Sequence, residues 1–230
     1  MHKIAKGVWQ LSGFPPHLFN VYLVEDMLVD AATRWAKGRI LSQVRGRPVR
    51  TVALTHCHPD HQGTAKYLCE TFDAPLACHA GDVPIMEGRA PMVPDSRILR
   101  LGVRIWAGPP YPVTRVLQEG DELAGFRVIH APGHTHGHIL FFRDGDRVAI
   151  AGDVLANMHF ITGKPGLRRP PAAFCVDAAE NARSVQKLID LDPSVVCFGH
   201  GPPLYDVSQL ERFALTPSLA AQSIGLEVRY

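Results

Sequence analysis

TVALTHCHPDHQG, residues 51–63, passes from an apolar run of strand length into three imidazoles and a carboxylate packed within six positions. In extended chain, side chains two residues apart project to the same side, so His56 and His58 can converge on one ion while Cys57 points away. Pro59 then turns the chain. Asp60 and His61 come to face a second position beside the first, as a two-metal hydrolytic centre requires. Replacing Cys57 is accordingly expected to leave metal binding intact.

Working outward toward the N-terminus, residues 7–12, 18–24 and 27–30 read as three short strands of a meander. Thr33 offers an N-cap for a helix running to about Val44, with Trp35, Ile40, Leu41 and Val44 on its packed side and Gly46 and Pro48 ending it. On the other side of the motif, residues 62–72 place Ala65, Leu68, Cys69 and Phe72 at helical spacing, and LACH at 76–79 reads as a strand. Residues 81–112 break this alternation with six prolines and no clear period. Long irregular segments in compact domains are more often covers than packing elements, so a lid or insertion is expected there. Its Met86, Met92 and Trp106 would make the substrate partly apolar.

Strands resume at 113–117, 126–130, 138–142 and 148–151, followed by a loop over 154–174. Asp177 caps a helix that carries Val185, Leu188 and Ile189, and VVCF at 195–198 is a last strand. The final 25 or so residues read as helical and then frayed, packing through Leu210, Phe213 and Leu215. Three strands end in a ligand type beside glycines: APGHTHGH at 131–138, AGDV at 151–154 and FGHG at 198–201. They bring His134, Asp153 and His200. One ion would take His56, His58, His134 and a bridging oxygen, and the other Asp60, His61, His200 and Asp153, with the Asp153 carboxylate able to bridge both.

With 230 residues and 46% hydrophobic content, one large domain spanning 1–230 is expected, with the 81–112 segment inserted in it. A formal charge of +2 shows no basic stripe of the kind that nucleic acid selects. Five cysteines, odd in number, widely spread and without CxxC spacing, fit reduced thiols better than a disulfide framework. Neither a signal-peptide core nor an apolar run of membrane-spanning length is legible, so a soluble cytoplasmic protein acting on a small molecule, without membrane or nucleic-acid partner, is expected. Oligomeric state is left open.

In this order the motifs resemble those of the metallo-β-lactamase-fold hydrolases: HxHxDH as HCHPDH, the PGHTxGH element as PGHTHGH, the GD element as AGDVL and the closing GH as FGHGPPL. The resemblance implies a four-layer αββα sandwich within the α/β class, built from two related halves. It also implies two metal ions, usually zinc with iron or manganese as alternatives, held by His56, His58, Asp60, His61, His134, Asp153 and His200. Asp30 matches the family's usual aspartate behind the ligands, although the glycine common two residues later is Ala32 here.

Other histidines sit close to these ligands. His136 and His138 share the loop of His134, where imidazoles also serve as hydrogen-bonding supports, and His138 is expected to support a ligand from behind. His79 and His130 read as structural groups at strand ends, while His159 follows Asp153 and is a candidate for the pocket wall. Lys164, Arg168 and Arg169 in the same loop read as a solvated cluster, with a substrate carboxylate as the alternative partner.

Water held between two cations loses its proton near neutral pH, and the hydroxide attacks an electrophilic carbonyl while Asp60 handles the proton. A small ester, thioester or lactone is the expected substrate, since the site resembles those of glyoxalase II and lactonases. Both resemblances are partial: about 30 residues follow His200, little of glyoxalase II's C-terminal domain, and the loop after Asp153 has no tyrosine of the lactonase kind. The alternatives are β-lactam hydrolysis, phosphodiester hydrolysis and a mononuclear-iron persulfide dioxygenase.

Overall fold

The computed structural model describes residues 1–215. A first sheet takes β1 (His2–Ala5), β2 (Val8–Gln10), β3 (Tyr22–Val24), β4 (Met27–Val29), β5 (Thr51–Ala53), β6 (Leu76–His79) and β7 (Arg115–Leu117), adjacent in that order. The first four pair antiparallel and the last four parallel. Between the parallel strands lie α1 (Lys37–Gln43), α2 (Pro59–Gln62), α3 (Ala65–Phe72), α4 (Val83–Met86) and α5 (Arg97–Trp106). The second sheet is built from β8 (Glu122–Leu123), β9 (Phe126–His130), β10 (Ile139–Arg143) and β11 (Val148–Gly152). A separate hairpin of β12 (Ala156–Met158) and β13 (Pro165–Arg168) follows, then a 3₁₀ turn, α6 (Ala178–Asp190), β14 (Val195–Phe198) and α7 (Ser208–Ala214). β14 joins the second sheet alongside β11, in parallel.

Strand periodicity accounts for the layering. In β5 and the residue after it, Val52 and Leu54 point outward to Ile40, Val44, Leu68 and Cys69 of α1 and α3, while Ala53 points inward. Leu76 and Cys78 against Ala77 repeat the pattern in β6. The inward set, with Tyr22, Met27 and Val29, meets Phe126, Val128, Ile139, Phe141 and Ile150 of the second sheet. That sheet's outer face, including Leu140, Phe142 and Val196, is covered by Val185 and Leu188 of α6 and Leu210 of α7. Side chains of period 2 buried on both faces make the central strands β3, β4, β5 and β14 nearly continuous apolar runs. The result is the αββα sandwich expected from the motifs.

Several expectations are corrected. The first helix starts after Ala36, not at Thr33, and Trp35 is 72% exposed instead of packed. Residues 31–34 are held by Gly63 N–H to Ala32 O and by Arg34 N–H to Trp106 O, and only a single turn closed by Ala36 N–H to Thr33 O precedes the helix. Residues 81–112 are only partly irregular. They contain α4 and α5, the latter capped by the Ser96 side chain accepting the Leu99 N–H. Met86 belongs to the core under the first sheet, with 2% of its surface exposed. The 154–174 loop contains a hairpin, and Leu215 is 83% exposed, without a packing role. Asp177 caps α6 as expected, accepting the Ala179 and Glu180 N–H groups. The frayed C-terminal end lies outside the described residues. All five cysteines are free and buried, and among the described residues no helix is long and apolar enough to cross a membrane.

Candidate metal centre

Strand ends from both sheets meet at one edge of the sandwich. β5 feeds His56 and His58; His58 is extended (φ −70°, ψ 157°), as the residue before a proline prefers, and Pro59 takes the first position of α2. Asp60 and His61 thereby fall on the first turn of α2, beside the two extended ligand types. The second sheet contributes His134 from the β9–β10 loop, Asp153 just after β11 and His200 just after β14.

The seven candidate side chains are brought together. Ligand atoms of His56, His58 and His134 lie within 4.8 Å of one another, as do those of His56, His61 and Asp153, and those of Asp60, His61 and His200. Asp153 Oδ2 stands 3.0 Å from His200 Nε2, 3.5 Å from His61 Nε2 and 3.6 Å from His134 Nε2, and Asp60 Oδ2 is 3.4 Å from His200 Nε2. The carboxylate of Asp153 therefore sits where the groups join.

The far side of each imidazole is engaged, which fixes where its other nitrogen points. His61 Nδ1 donates to Asp30 Oδ2 at 2.9 Å. The same carboxylate accepts the Thr55 hydroxyl, and Thr55 Oγ1 lies 3.1 Å from His56 Nδ1. His200 Nδ1 is bonded to the Leu18 carbonyl, His134 Nδ1 faces Cys175 Sγ at 3.7 Å, and His58 Nε2 donates to Val93 O at 2.8 Å. His56 Nε2, His61 Nε2, His134 Nε2 and Asp153 Oδ1 are left buried with no hydrogen-bond partner. Such orphans cost about 1–3 kcal/mol each unless something binds them. Imidazole nitrogen and carboxylate oxygen converging in this way form a donor set that fits transition-metal ions.

Electrostatics divide the centre in two. Burial, with His61, His134 and His58 around it, holds His56 well below the usual imidazole range, and burial does the same to His134. Both keep neutral lone pairs. Burial also opposes charge on His61 and His200, but Asp153 outweighs it, helped by Asp30 at the first and Asp60 at the second, and His200 is pushed up to about 10. Burial works against the Asp153 anion too, yet His200 and His61 hold it well below the carboxylate range. The half around Asp153 thus attracts positive charge.

Close packing at the centre depends on Gly199. A Cβ there would fall 2.1 Å from Asp153 Oδ1 and 2.6 Å from His61 Cε1, so only hydrogen fits.

Of the neighbouring histidines, His138 is buried and its Nε2 accepts the Asp153 N–H at 3.0 Å, a support from behind as expected. His136 is exposed, and His79 and His130 stack on each other at 4.0 Å. His159 turns its Nδ1 to the backbone of Ile161 and Thr162, capping a turn. Arg169 lies over the Phe213 ring at 5.3 Å. Cys57 packs in the core, away from the ligand atoms.

Sequence reasoning missed Asp82. This fully buried carboxylate accepts the Cys57 N–H, the Thr135 hydroxyl and the Gly137 N–H, so it ties the HxHxDH loop to the His134 loop. It lies inside residues 81–112, as does the Val93 carbonyl that holds His58. The segment expected as a lid or insertion thus also supports the centre directly. Phe19 and Phe160, whose rings meet that of His200, were missed as well.

The model of the metallo-beta-lactamase superfamily matches residues 16–200. Among curated proteins, the Bacillus subtilis "Probable metallo-hydrolase YflN" is 29% identical, covering 87% of this chain and 86% of its own. The uncharacterized YobT of the same organism is 32% identical, covering 90% and 94%. Among solved structures, the metallo-beta-lactamase family protein TTHA1429 of Thermus thermophilus superposes with a TM-score of 0.69 at 26% identity, covering 96% of this chain and 81% of that one. TTHA1623, solved in a di-iron-bound form, superposes at 0.62 with 33% identity, covering 86% and 93%.

Proposed function

Because the chain belongs to the metallo-beta-lactamase superfamily, we propose that it is a metal-dependent hydrolase of a small ester, thioester or lactone, working with two ions held by its seven His and Asp side chains. The observation that carries this reading is the set of four orphaned buried donor atoms, which converge around one shared carboxylate. His56, His58 and His134 would hold one ion, and Asp60, His61 and His200 the other, with Asp153 between them. Zinc suits this nitrogen-rich set, and the di-iron form of TTHA1623 makes iron the alternative and favours two ions over one.

When bound, such ions supply Lewis acidity and a water that ionises near neutral pH. The chain's own groups do the rest. Burial raises the Asp60 carboxyl, but His200 and His61 override it and keep the group below the usual carboxylate range. Asp60 is therefore ionised at neutral pH and can take a proton on a carboxylate oxygen and pass it to the departing alcohol or thiol. Asp30, Thr55 and the Leu18 carbonyl fix the rings, so that little reorganisation accompanies the reaction. Phe19 and Phe160 stand beside the His200 ring, and Trp106 packs on Phe19 behind them.

The test pairs elemental analysis with an activity panel. Purified protein is expected to contain about two transition-metal ions per chain and to hydrolyse esters, thioesters or lactones in preference to β-lactams and phosphodiesters. Full activity at one ion per chain would overturn the two-metal reading, and activity confined to phosphodiesters would overturn the substrate class.

A further inference from the structure

Beside His200 the centre is bordered by aromatic rings that hold none of its ligand atoms. Phe160 stands edge-on to the His200 imidazole at 5.0 Å and Phe19 at 5.9 Å. Phe19 also meets Phe160 at 6.2 Å and Trp106 at 5.3 Å. The row is assembled from three distant segments: the β2–β3 loop, the end of α5 and the tip of the β12–β13 hairpin. At that tip Phe160 is 45% exposed and Ile161 89%.

The hairpin tip is a fixed turn. His159 N–H donates to Lys164 O and Gly163 N–H to His159 O, both at 2.8 Å, while His159 Nδ1 accepts the Ile161 and Thr162 N–H groups. Its foot is pinned to the centre by Asn157, whose N–H donates to His200 O at 2.8 Å and whose side chain donates to Pro202 O at 2.9 Å. Apolar side chains kept exposed and ordered at the edge of a polar site fit a ligand group that covers them.

Resting on the hydrolase reading above, we infer that Phe160, Ile161, Phe19 and Trp106 form the recognition wall for a hydrocarbon acyl chain, so that the substrate is a medium-chain acyl ester or thioester. The wall begins at a candidate ligand, His200, so a chain attached to a carbonyl at the centre reaches it without leaving the protein surface. Each methylene laid against it leaves water.

The experiment uses metal-loaded protein and compares p-nitrophenyl hexanoate with p-nitrophenyl acetate. Four further methylenes packed on one side are expected to raise kcat/KM about tenfold. Phe160→Ala should bring that ratio close to unity with metal content retained, and Phe160→Leu should restore most of it. A wild-type ratio near unity, or one that Phe160→Ala does not change, overturns the wall while the hydrolase reading stands. If neither ester is turned over, the hydrolase reading is decided by the thioesters and lactones of the panel, and the wall by calorimetric binding of hexanoate and acetate. Hexanoate binding about tenfold tighter, with the difference lost in Phe160→Ala, supports it, and equal binding overturns it.

Discussion

Asp82 Oδ2 accepts the backbone N–H of Cys57 at 2.9 Å, across 25 residues of chain. Since the same carboxylate takes the Thr135 hydroxyl and the Gly137 N–H, it fixes the separation between the two loops that supply His56, His58 and His134. Asp82→Ala would leave two buried N–H groups without an acceptor, and unsatisfied groups of this kind cost about 1–3 kcal/mol each. The expected outcome is a loss of roughly 3 kcal/mol in urea unfolding, together with weakened metal binding at the His56, His58, His134 position. Asp82→Asn, which keeps one acceptor oxygen, should lie between the two. A metal titration of Asp82→Ala that matches wild type would mean that the loops hold their spacing without this residue.

Asp153 and Cys57 should separate ligand from packing. Asp153→Ala removes the carboxylate shared by His61, His134 and His200, and should drop the metal content to about one ion or less and abolish hydrolysis. Cys57→Ser buries a hydroxyl in the core beneath the first sheet and should cost about 1–3 kcal/mol while leaving the metal content unchanged. Elemental analysis with thermal melting reads both quantities on the same samples.

Gly199→Ala drives a methyl group into Asp153 Oδ1. Overpacking of this sort costs about 1–3 kcal/mol, so the fold should survive with a lowered melting temperature. The displaced carboxylate should weaken metal binding more than folding, which a chelator competition would show.

The cluster of candidate ligands was legible because its chemistry is local: two extended positions, a proline turn and a short helix bring His56, His58, Asp60 and His61 together within six residues. The sandwich was legible because LACH and VVCF form strands over 76–79 and 195–198 as their apolar runs predict. What escaped were groups whose role exists only after folding. Asp82 looks like any acidic residue after a glycine until β6 and the β9–β10 loop meet around it. The arginines at 97, 100 and 104 mark the polar face of α5, but the prolines around them masked the period. Trp35 was read as packed because its apolarity fits a helix face, whereas tertiary hydrogen bonds from Gly63 and to Trp106 keep residues 31–34 out of the helix.

Tyr22 offers a pH test at a residue that is not itself a candidate ligand. Its buried hydroxyl donates to Phe198 O at 2.7 Å, and burial, reinforced by Cys197 and Asp30, pushes the phenol well above 10. The folded state thus holds its proton more tightly than the unfolded chain does. Its contribution is complete below about pH 10 and is lost as pH climbs from there toward the folded value. Tyr22→Phe should cost about 1 kcal/mol at neutral pH and flatten the decline of stability above pH 10, as urea midpoints across pH would show. An unchanged alkaline slope would mean that another group titrates.

The centre draws its candidate ligands from both sheets: His56, His58, Asp60 and His61 from one, His134, Asp153 and His200 from the other. An ion gripped there would act as a clasp between halves that otherwise meet through an apolar seam and a few hydrogen bonds, such as those from Gly137 N–H to Asp82 and from the Tyr22 hydroxyl to Phe198 O. Anything bound only by the folded chain shifts unfolding by mass action, about 2.7 kcal/mol at a free concentration 100 times its dissociation constant. Chelation should therefore lower the melting temperature and expose the β7–β8 connection to protease. How long a molecule survives in a cell would then follow the supply of metal as much as the rate of its synthesis.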